Sequence, residues 1–353
     1  MSNLFLDGHK LMWHLDSVED WVKGGDITPI HAEISPSIEC NQRCPHCYQD
    51  FRERGAILEK EIFLNLIRSF KNFGVKSVLL AGEGEPMMNK HTPEAIVYGW
   101  ADGIDMALNS NGVIMKPEIA EKILPCLTWF RWSIMAATPG IYAKTHGTTS
   151  ERDLEKAKEN IRMCVEIKRK KNLEVTLGIQ QVLFNENASE VYKVAKLSKE
   201  LGVDYFVLKP FSLHPQNKYR PRTDLYLIYE KELKKAETLS DKKFTVIIRW
   251  NTFEDQGKRN YDRCLGLPFL VQISSNGGVY SCCPFFHDDR FLYGDLHKES
   301  FERILFGTRR KKVIQFVKNE VDVHSECMTH CRHHNINKFC WMLKHPPDHR
   351  NFP

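Results

Sequence analysis

From about residue 29 to about residue 210, short apolar runs alternate with longer stretches whose apolar residues recur every three or four positions. The short runs predict strands from Ile30 to Ile38, Ser77 to Ala81, Asp105 to Asn109, Thr128 to Met135, Leu173 to Leu183 and Tyr205 to Leu208. The stretches between them predict helices. One begins near Glu59 and carries Phe63, Leu66, Ile67 and Phe70 at i, i+3, i+4 and i+7, a single stripe that Gly74 terminates. Thr92-Pro93-Glu94 reads as the cap, first-turn proline and first-turn acid of a second. A third starts near Pro117, a fourth spans Arg152 to Lys170 and a fifth runs from about Ser189 to Leu201. Strand followed by helix, six times over and without internal repeat, predicts parallel strands joined by crossover helices.

Outside this region the pattern changes. Residues 1–28 read as an irregular lead-in, and 212–240 as a linker with an exposed helix. A strand is predicted from Phe244 to Trp250, and Asn276-Gly277 between β-prone residues signals a hairpin. The expected organisation is therefore a lead-in over 1–28, an α/β unit over 29–240 and a small α+β unit over 241–353.

Composition refines this picture. With 42% apolar and 27% charged residues the chain is an ordinary globular protein rather than a disordered one. No apolar run is long enough to span a membrane, and the N-terminal residues lack signal-peptide character. Eleven cysteines without an export signal point to metal ligation in a reducing cytoplasm. The net charge of +5 permits an anionic substrate without demanding one. The basic runs 168–171 and 309–312 fall in or at the ends of predicted helices, which favours solvated faces over a nucleic-acid patch.

The first predicted strand leads into Cys40-Asn41-Gln42-Arg43-Cys44-Pro45-His46-Cys47. Three thiolates spaced CxxxCxxC can hold three corners of a cubane iron–sulfur cluster and leave the fourth iron open to another molecule. On this spacing the chain resembles the radical S-adenosylmethionine (radical SAM) family. The resemblance implies an open, partial (β/α)6 TIM barrel and a [4Fe–4S] cluster on Cys40, Cys44 and Cys47. It also implies S-adenosylmethionine bound at the open iron and an external donor of flavodoxin or ferredoxin type. Reductive cleavage of the cofactor would give a 5′-deoxyadenosyl radical.

Other family positions fall at predicted strand ends, where α/β barrels gather reactive groups. Gly82-Glu83-Gly84-Glu85-Pro86 is similar to the family's motif for the cofactor amino group, with Glu83 where glycine is usual. Asn111, in Asn109-Ser110-Asn111-Gly112, and Ser133 on strand four match further cofactor positions. Gln180 and Gln181 lie on opposite faces of strand five, so one of them should point inward. Lys209 reads as a solvated strand-end lysine, with contact to a substrate anion as the alternative.

The later cysteines resemble the family's auxiliary-cluster domain, SPASM, or twitch in its shorter form. The resemblance implies a second [4Fe–4S] cluster on Cys264, Cys282, Cys327 and Cys331, with Cys340 the substitute because three residues rather than two separate the last pair. The rival is a zinc site drawn from Cys327, Cys331, His333, His334 and Cys340. Cys283, next to a ligand on a strand, should face the other way and is the candidate hydrogen-atom donor. Arg249 is the candidate for substrate contact or proton transfer, and Cys164 and Cys126 read as packing residues. The lead-in is too short for a peptide-leader-binding winged helix, so the expected substrate is small and sugar-like or an aminocyclitol. Dehydrogenation or epimerisation is expected; a peptide or protein maturase and a non-catalytic iron–sulfur or zinc protein are the alternatives.

Overall fold

The computed structural model of the chain describes residues 4–47, 49, 54–150 and 152–352. The first element is a helix, α1 (Leu15–Val22), in the segment expected to be irregular. Its acids disguise a short apolar face: Val18 is buried, and Trp21 packs 5.9 Å from Phe269. Tertiary packing of this kind decides most short helices.

Strand and helix then alternate through β1 (His31–Ile34), α2 (Lys60–Asn72), β2 (Ser77–Leu80), α3 (Thr92–Ala101), β3 (Asp105–Ser110), α4 (Pro117–Ile123) and β4 (Trp129–Ser133). Two helices, α5 (Pro139–His146) and α6 (Asp153–Lys170), precede β5 (Thr176–Leu183), α7 (Val191–Leu201) and β6 (Tyr205–Pro210). The Phe63, Leu66, Ile67 and Phe70 stripe of α2 is buried as expected, and each such side chain contributes about 1.5–3 kcal/mol. Pro93 opens α3 and Pro117 opens α4, where a missing N–H costs nothing. The unexpected α5 ends at Gly147, whose φ of +58° suits glycine.

After two short helices, α8 (Leu225–Ile228) and α9 (Glu230–Glu237), comes β7 (Thr245–Ile248), which pairs parallel with β6. The segment expected to open a second unit is thus a seventh parallel strand of the first sheet. Helix α10 (Trp250–Asp255) leads to β8 (Leu270–Ile273) and β9 (Gly278–Tyr280), the hairpin expected at Asn276-Gly277. Strand β8 joins the other flank of β1 in parallel, β9 and β10 (Leu292–Asp295) follow antiparallel, and α11 (Phe301–Phe306), α12 (Thr308–Asn319) and α13 (His334–Lys344) complete the described chain. The strand order is β10-β9-β8-β1-β2-β3-β4-β5-β6-β7, an open sheet that continues past the boundary expected at residue 240.

The two faces of the sheet carry different chemistry because side chains alternate along each strand. Ala32, Ile34, Val78, Leu80, Leu108, Phe130 and Ile179 belong to the main core beneath the helices. The other face is a plug of Leu79, Ala81, Ala107 and Trp129 and, above it, polar residues around one cavity. Glu33 of β1 and Lys209 of β6 both line that cavity although four strands lie between them, so the sheet curls around it.

Candidate functional site

Cys40, Cys44 and Cys47 are half-buried and line the same cavity of about 250 Å³. Backbone and side chain fix their loop: Arg43 N–H donates to the His146 carbonyl at 3.1 Å, and Arg43 Nη1 donates to the Cys40 and Gln42 carbonyls at 2.6 and 2.8 Å. Beneath the loop, His146 Nε2 accepts from Met135 N–H at 3.1 Å, so its proton sits on Nδ1, 2.7 Å from Gln42 Oε1. Gln42 Nε2 in turn donates to Tyr142 Oη at 3.1 Å. Burial holds His146 neutral, with its pKa down at about 3. Burial also pushes the Cys40 thiol up to about 11, so a bound metal is what would make it a thiolate.

The loop after β2 crosses directly over the cysteine loop. Gly84 N–H donates to the Ser37 carbonyl at 2.9 Å and Glu85 N–H to the Glu39 carbonyl at 2.8 Å. A Cβ on Gly84 would lie 2.2 Å from the Glu39 carbonyl oxygen, and one on Gly82, with φ +112°, 2.6 Å from Ser35 Cβ. Only glycine permits this approach. The Glu85 carboxylate is buried and accepts from Ser110 Oγ at 2.8 Å, Asn111 N–H at 2.8 Å and Met87 N–H at 3.1 Å. Asn111 Nδ2 then reaches Asn41 Oδ1 at 2.6 Å, 3.9 Å from Cys40 Sγ. Glu85 and Asn111 therefore link three strand ends to the cysteine loop.

Glu83 departs from the expectation of a cofactor contact. It borders the cavity, but its carboxylate is committed to the hairpin: Oε1 lies 2.7 Å from His287 Nε2, and Oε2 accepts from Ser275 N–H at 2.8 Å. Burial alone would raise its carboxyl; the His287 and Ser275 contacts outweigh that and hold it below the ordinary 4.5. A depressed carboxyl contributes stability that is present above the ordinary value and is lost as pH falls through the folded one. Glu83→Gln should therefore cost about 1–2 kcal/mol near neutral pH, seen as a lower Tm, with the gap to wild type closing in acid. A gap that stays constant with pH contradicts this role.

Ser133 and Gln180 line the cavity, as expected of an inward face. Gln181 does not; it is buried on the helix side and donates to the Met135 carbonyl at 2.9 Å. Arg249 is also outside the lining, and its guanidinium lies 3.6 Å from the Asp7 carboxylate beside the start of α10. Cys283 is absent from the lining as well. Strand β9 ends at Tyr280, and Cys283 opens a 3-10 turn with its side chain buried, so the strand alternation invoked for it does not apply.

Glu33, His46 and Arg332 are among the lining residues that escaped the sequence reading. Arg332 Nη2 and Nε grip Glu33 Oε1 and Oε2 at 2.6 and 2.8 Å. His46 is buried and stacks 4.6 Å from Phe184, and burial holds its pKa at about 4. Glu33, a lone carboxylate within an apolar strand, was the available signal, because a buried charge without a role is rare.

The second cysteine group lies behind the hairpin. Cys264 and Cys282 are buried, Cys327 and Cys331 half-buried, and all four are free. Burial pushes the Cys264 thiol up to about 12, with Cys331 the next cause and Cys340 a lesser one. Cys282 is raised by burial and by its neighbours Cys327 and Cys264. Asn337 braces this group, donating to Cys264 Sγ at 3.3 Å and accepting from Leu265 and Gly266 N–H at 2.7 Å each. Cys340 instead packs into an apolar cluster with Leu11, Val18 and Ile30. His334 is committed to Tyr261 and Asp255, at 3.0 and 2.8 Å. Among the described residues no three His, Cys, Asp or Glu side chains converge as the ligands of one bare ion would. Cys264, Cys282, Cys327 and Cys331 lie near enough to raise one another's thiols, which makes them one all-sulfur donor set of the kind that holds a cubane.

Comparison with known proteins agrees with this donor chemistry. Residues 34–198 match the model of the radical SAM superfamily, and 264–333 match SPASM, an iron–sulfur cluster-binding domain. A "Probable GTP 3′,8-cyclase" of Saccharolobus islandicus is 31% identical over 180 residues, covering 50% of this chain and 54% of that protein. The chain thus spans about half the length of this curated relative. Streptococcus suis SuiB bound to S-adenosylmethionine superposes with a TM-score of 0.67 at 15% identity, over 95% of this chain and 79% of that one. Native anSMEcpe with bound AdoMet gives 0.59 at 19% identity, over 88% of each chain. Both likenesses concern the fold. The cofactors are a [4Fe–4S] cluster with S-adenosylmethionine in the first domain and an auxiliary iron–sulfur cluster in the second. The chain belongs to the radical SAM superfamily and carries a C-terminal SPASM domain.

Proposed function

We propose that this enzyme takes a hydrogen atom from a C–H bond of a small, sugar-like or aminocyclitol substrate and oxidises it. The observation that carries the reading is the sharing of one cavity by two kinds of group: Cys40, Cys44, Cys47, Glu85 and Asn111 on the one hand, and Glu33, Gln180, Lys209 and Arg332 on the other. Glu33, Gln180, Lys209 and Arg332 offer a small polyhydroxylated molecule hydrogen-bonding and charged partners in that cavity. The likeness to a protein named for its action on GTP, a phosphorylated ribonucleoside, points the same way.

Bound at Cys40, Cys44 and Cys47, the cluster with S-adenosylmethionine supplies the 5′-deoxyadenosyl radical. Glu85 and Asn111 hold the loops around that site in register. Ser133 and Gln180 present a hydroxyl and an amide to the bound cofactor. Arg332 keeps Glu33 ionised despite its burial, which suits it to orient substrate hydroxyls rather than to accept a proton. Cys264, Cys282, Cys327 and Cys331 hold the auxiliary cluster in this reading. Cys283, away from the cavity, is poorly placed to return a hydrogen atom, which favours oxidation over epimerisation. The domains are read as a core over 29–240 and an auxiliary unit over 241–353, in a cytoplasmic enzyme served by a flavodoxin or ferredoxin.

The test is anaerobic turnover of the reconstituted protein with dithionite, followed by mass spectrometry. One 5′-deoxyadenosine per oxidised sugar-like product, with no solvent deuterium at carbon, is the expected result. No 5′-deoxyadenosine from protein with an intact cluster spectrum would favour a binding protein. Solvent deuterium in the product, lost in Cys283→Ala, would restore epimerisation, and a modified peptide would favour the maturase.

A further inference from the structure

We propose that the floor of the cavity is an oxyanion subsite, so that the substrate carries a carboxylate or a phosphoryl group. This rests on the reading above that a small substrate enters the cavity. Register places the groups: Glu33 of β1, Arg131 of β4 and Lys209 of β6 fall on the inward face of the curled sheet, and Arg332 reaches Glu33 from the segment after Cys331. Arg249, just past β7, adds a fourth cation nearby. Of these cations Lys209 and Arg332 line the cavity, and the carboxylates of Glu33 and Asp7 are already engaged. Arg332 holds Glu33 bidentately, and Asp7 lies 3.6 Å from Arg249 while accepting from Asn251 N–H at 3.0 Å. Arg131 has only neutral partners, Asn109 Oδ1 at 3.1 Å and the Tyr205 hydroxyl.

Lys209 is left over. It lines the cavity, and its ammonium makes no hydrogen bond or ion pair among the described residues. Burial and the neighbouring cations disfavour its charge, which a bound anion would restore. A second observation points the same way. Gln272 is fully buried, lies in register with Glu33, and has neither its amide oxygen nor its amide nitrogen hydrogen bonded. Buried polar groups are rarely unpaired unless a ligand completes them. Lys209 and Arg332 line one cavity, and an ammonium beside a guanidinium edge matches a planar carboxylate or a tetrahedral phosphoryl group. The elements that carry Glu85, Asn111 and Ser133 are β2 to β4, whereas Lys209 and Arg332 come from β6 and the C-terminal segment.

The experiment is calorimetric titration of the reconstituted holoprotein, saturated with S-adenosylmethionine, with inorganic phosphate and separately with acetate. Saturable binding is expected, and the tighter anion names the group, phosphoryl or carboxylate. Lys209→Met should weaken it about tenfold or more and Arg332→Gln by a similar factor. Glu33→Gln, which frees Arg332 from its carboxylate, should tighten it. S-adenosylmethionine affinity should stay within about twofold in Lys209→Met. Lys209→Met removes a buried charge that lacks a partner, so folding is not at risk, and the opposite sign of Glu33→Gln guards against a general loss of structure. No saturable binding of either anion, or equal binding in wild type and all variants, overturns the proposal. So does a parallel loss of S-adenosylmethionine affinity, which would assign the cations to the cofactor's carboxylate. If the anion data hold while no 5′-deoxyadenosine forms, the subsite stands and the proposed function fails.

Discussion

Cys44→Ala is expected to remove about half of the iron bound by the reconstituted protein and to reduce 5′-deoxyadenosine formation to background. Cys44 lies in the middle of the three-cysteine loop, and no other cysteine lines the cavity to replace it. The second group sits apart behind the hairpin, so its iron should remain. Iron analysis with the visible and electron paramagnetic resonance spectra checks this directly. Loss of all the iron would mean that the two groups do not bind independently. Retention of all of it would remove Cys44 from the ligand set.

Glu85→Ala should have the largest effect of any change that spares the cysteines. It strips the partner from the backbone N–H groups of Met87 and Asn111 and from the Ser110 hydroxyl, all buried. Each buried donor left unpaired costs about 1–3 kcal/mol, so a loss of about 3–5 kcal/mol is expected. Asn111 would no longer be held against Asn41, and S-adenosylmethionine affinity should fall about tenfold or more. Glu85→Gln is the informative control. Its amide oxygen can serve Met87 and Ser110, but its NH2 then faces the Asn111 N–H, so it should recover part of the stability and little of the affinity. Thermal unfolding and equilibrium binding of the cofactor measure the two losses separately. A Glu85→Ala protein with unchanged Tm would show that water or a local shift replaces the carboxylate.

What could be read beforehand follows from periodicity. The α2 stripe, the proline-opened helices and the Asn276-Gly277 hairpin are local signals, and each was legible from neighbouring residues. Partner choice was not. An apolar strand such as Thr245–Ile248 says nothing about which sheet edge it will join, and β7 extends the parallel sheet past the boundary expected at residue 240. Helix α1 depends on contacts with Phe269, nearly 250 residues away. At the site, spacing exposed the cysteines, but side-chain direction was hidden. For Lys209 the solvated strand end was the first reading and an anion contact the second; β6 runs to Pro210, two residues past the expected end, and carries the lysine to the cavity. Cys283 failed for the converse reason: its strand stops at Tyr280. Glu83 occupied a motif position, yet its partners, Ser275 and His287, lie about 200 residues further on.

Those contacts have a mechanical consequence. The loop over the first cysteines is bolted to the hairpin that leads to Cys282, and β8 of that hairpin is zipped to β1. Heat or denaturant cannot peel one half away without tearing the strand that feeds the other. The chain should therefore come apart as a single cooperative body, although its sequence is written as two modules.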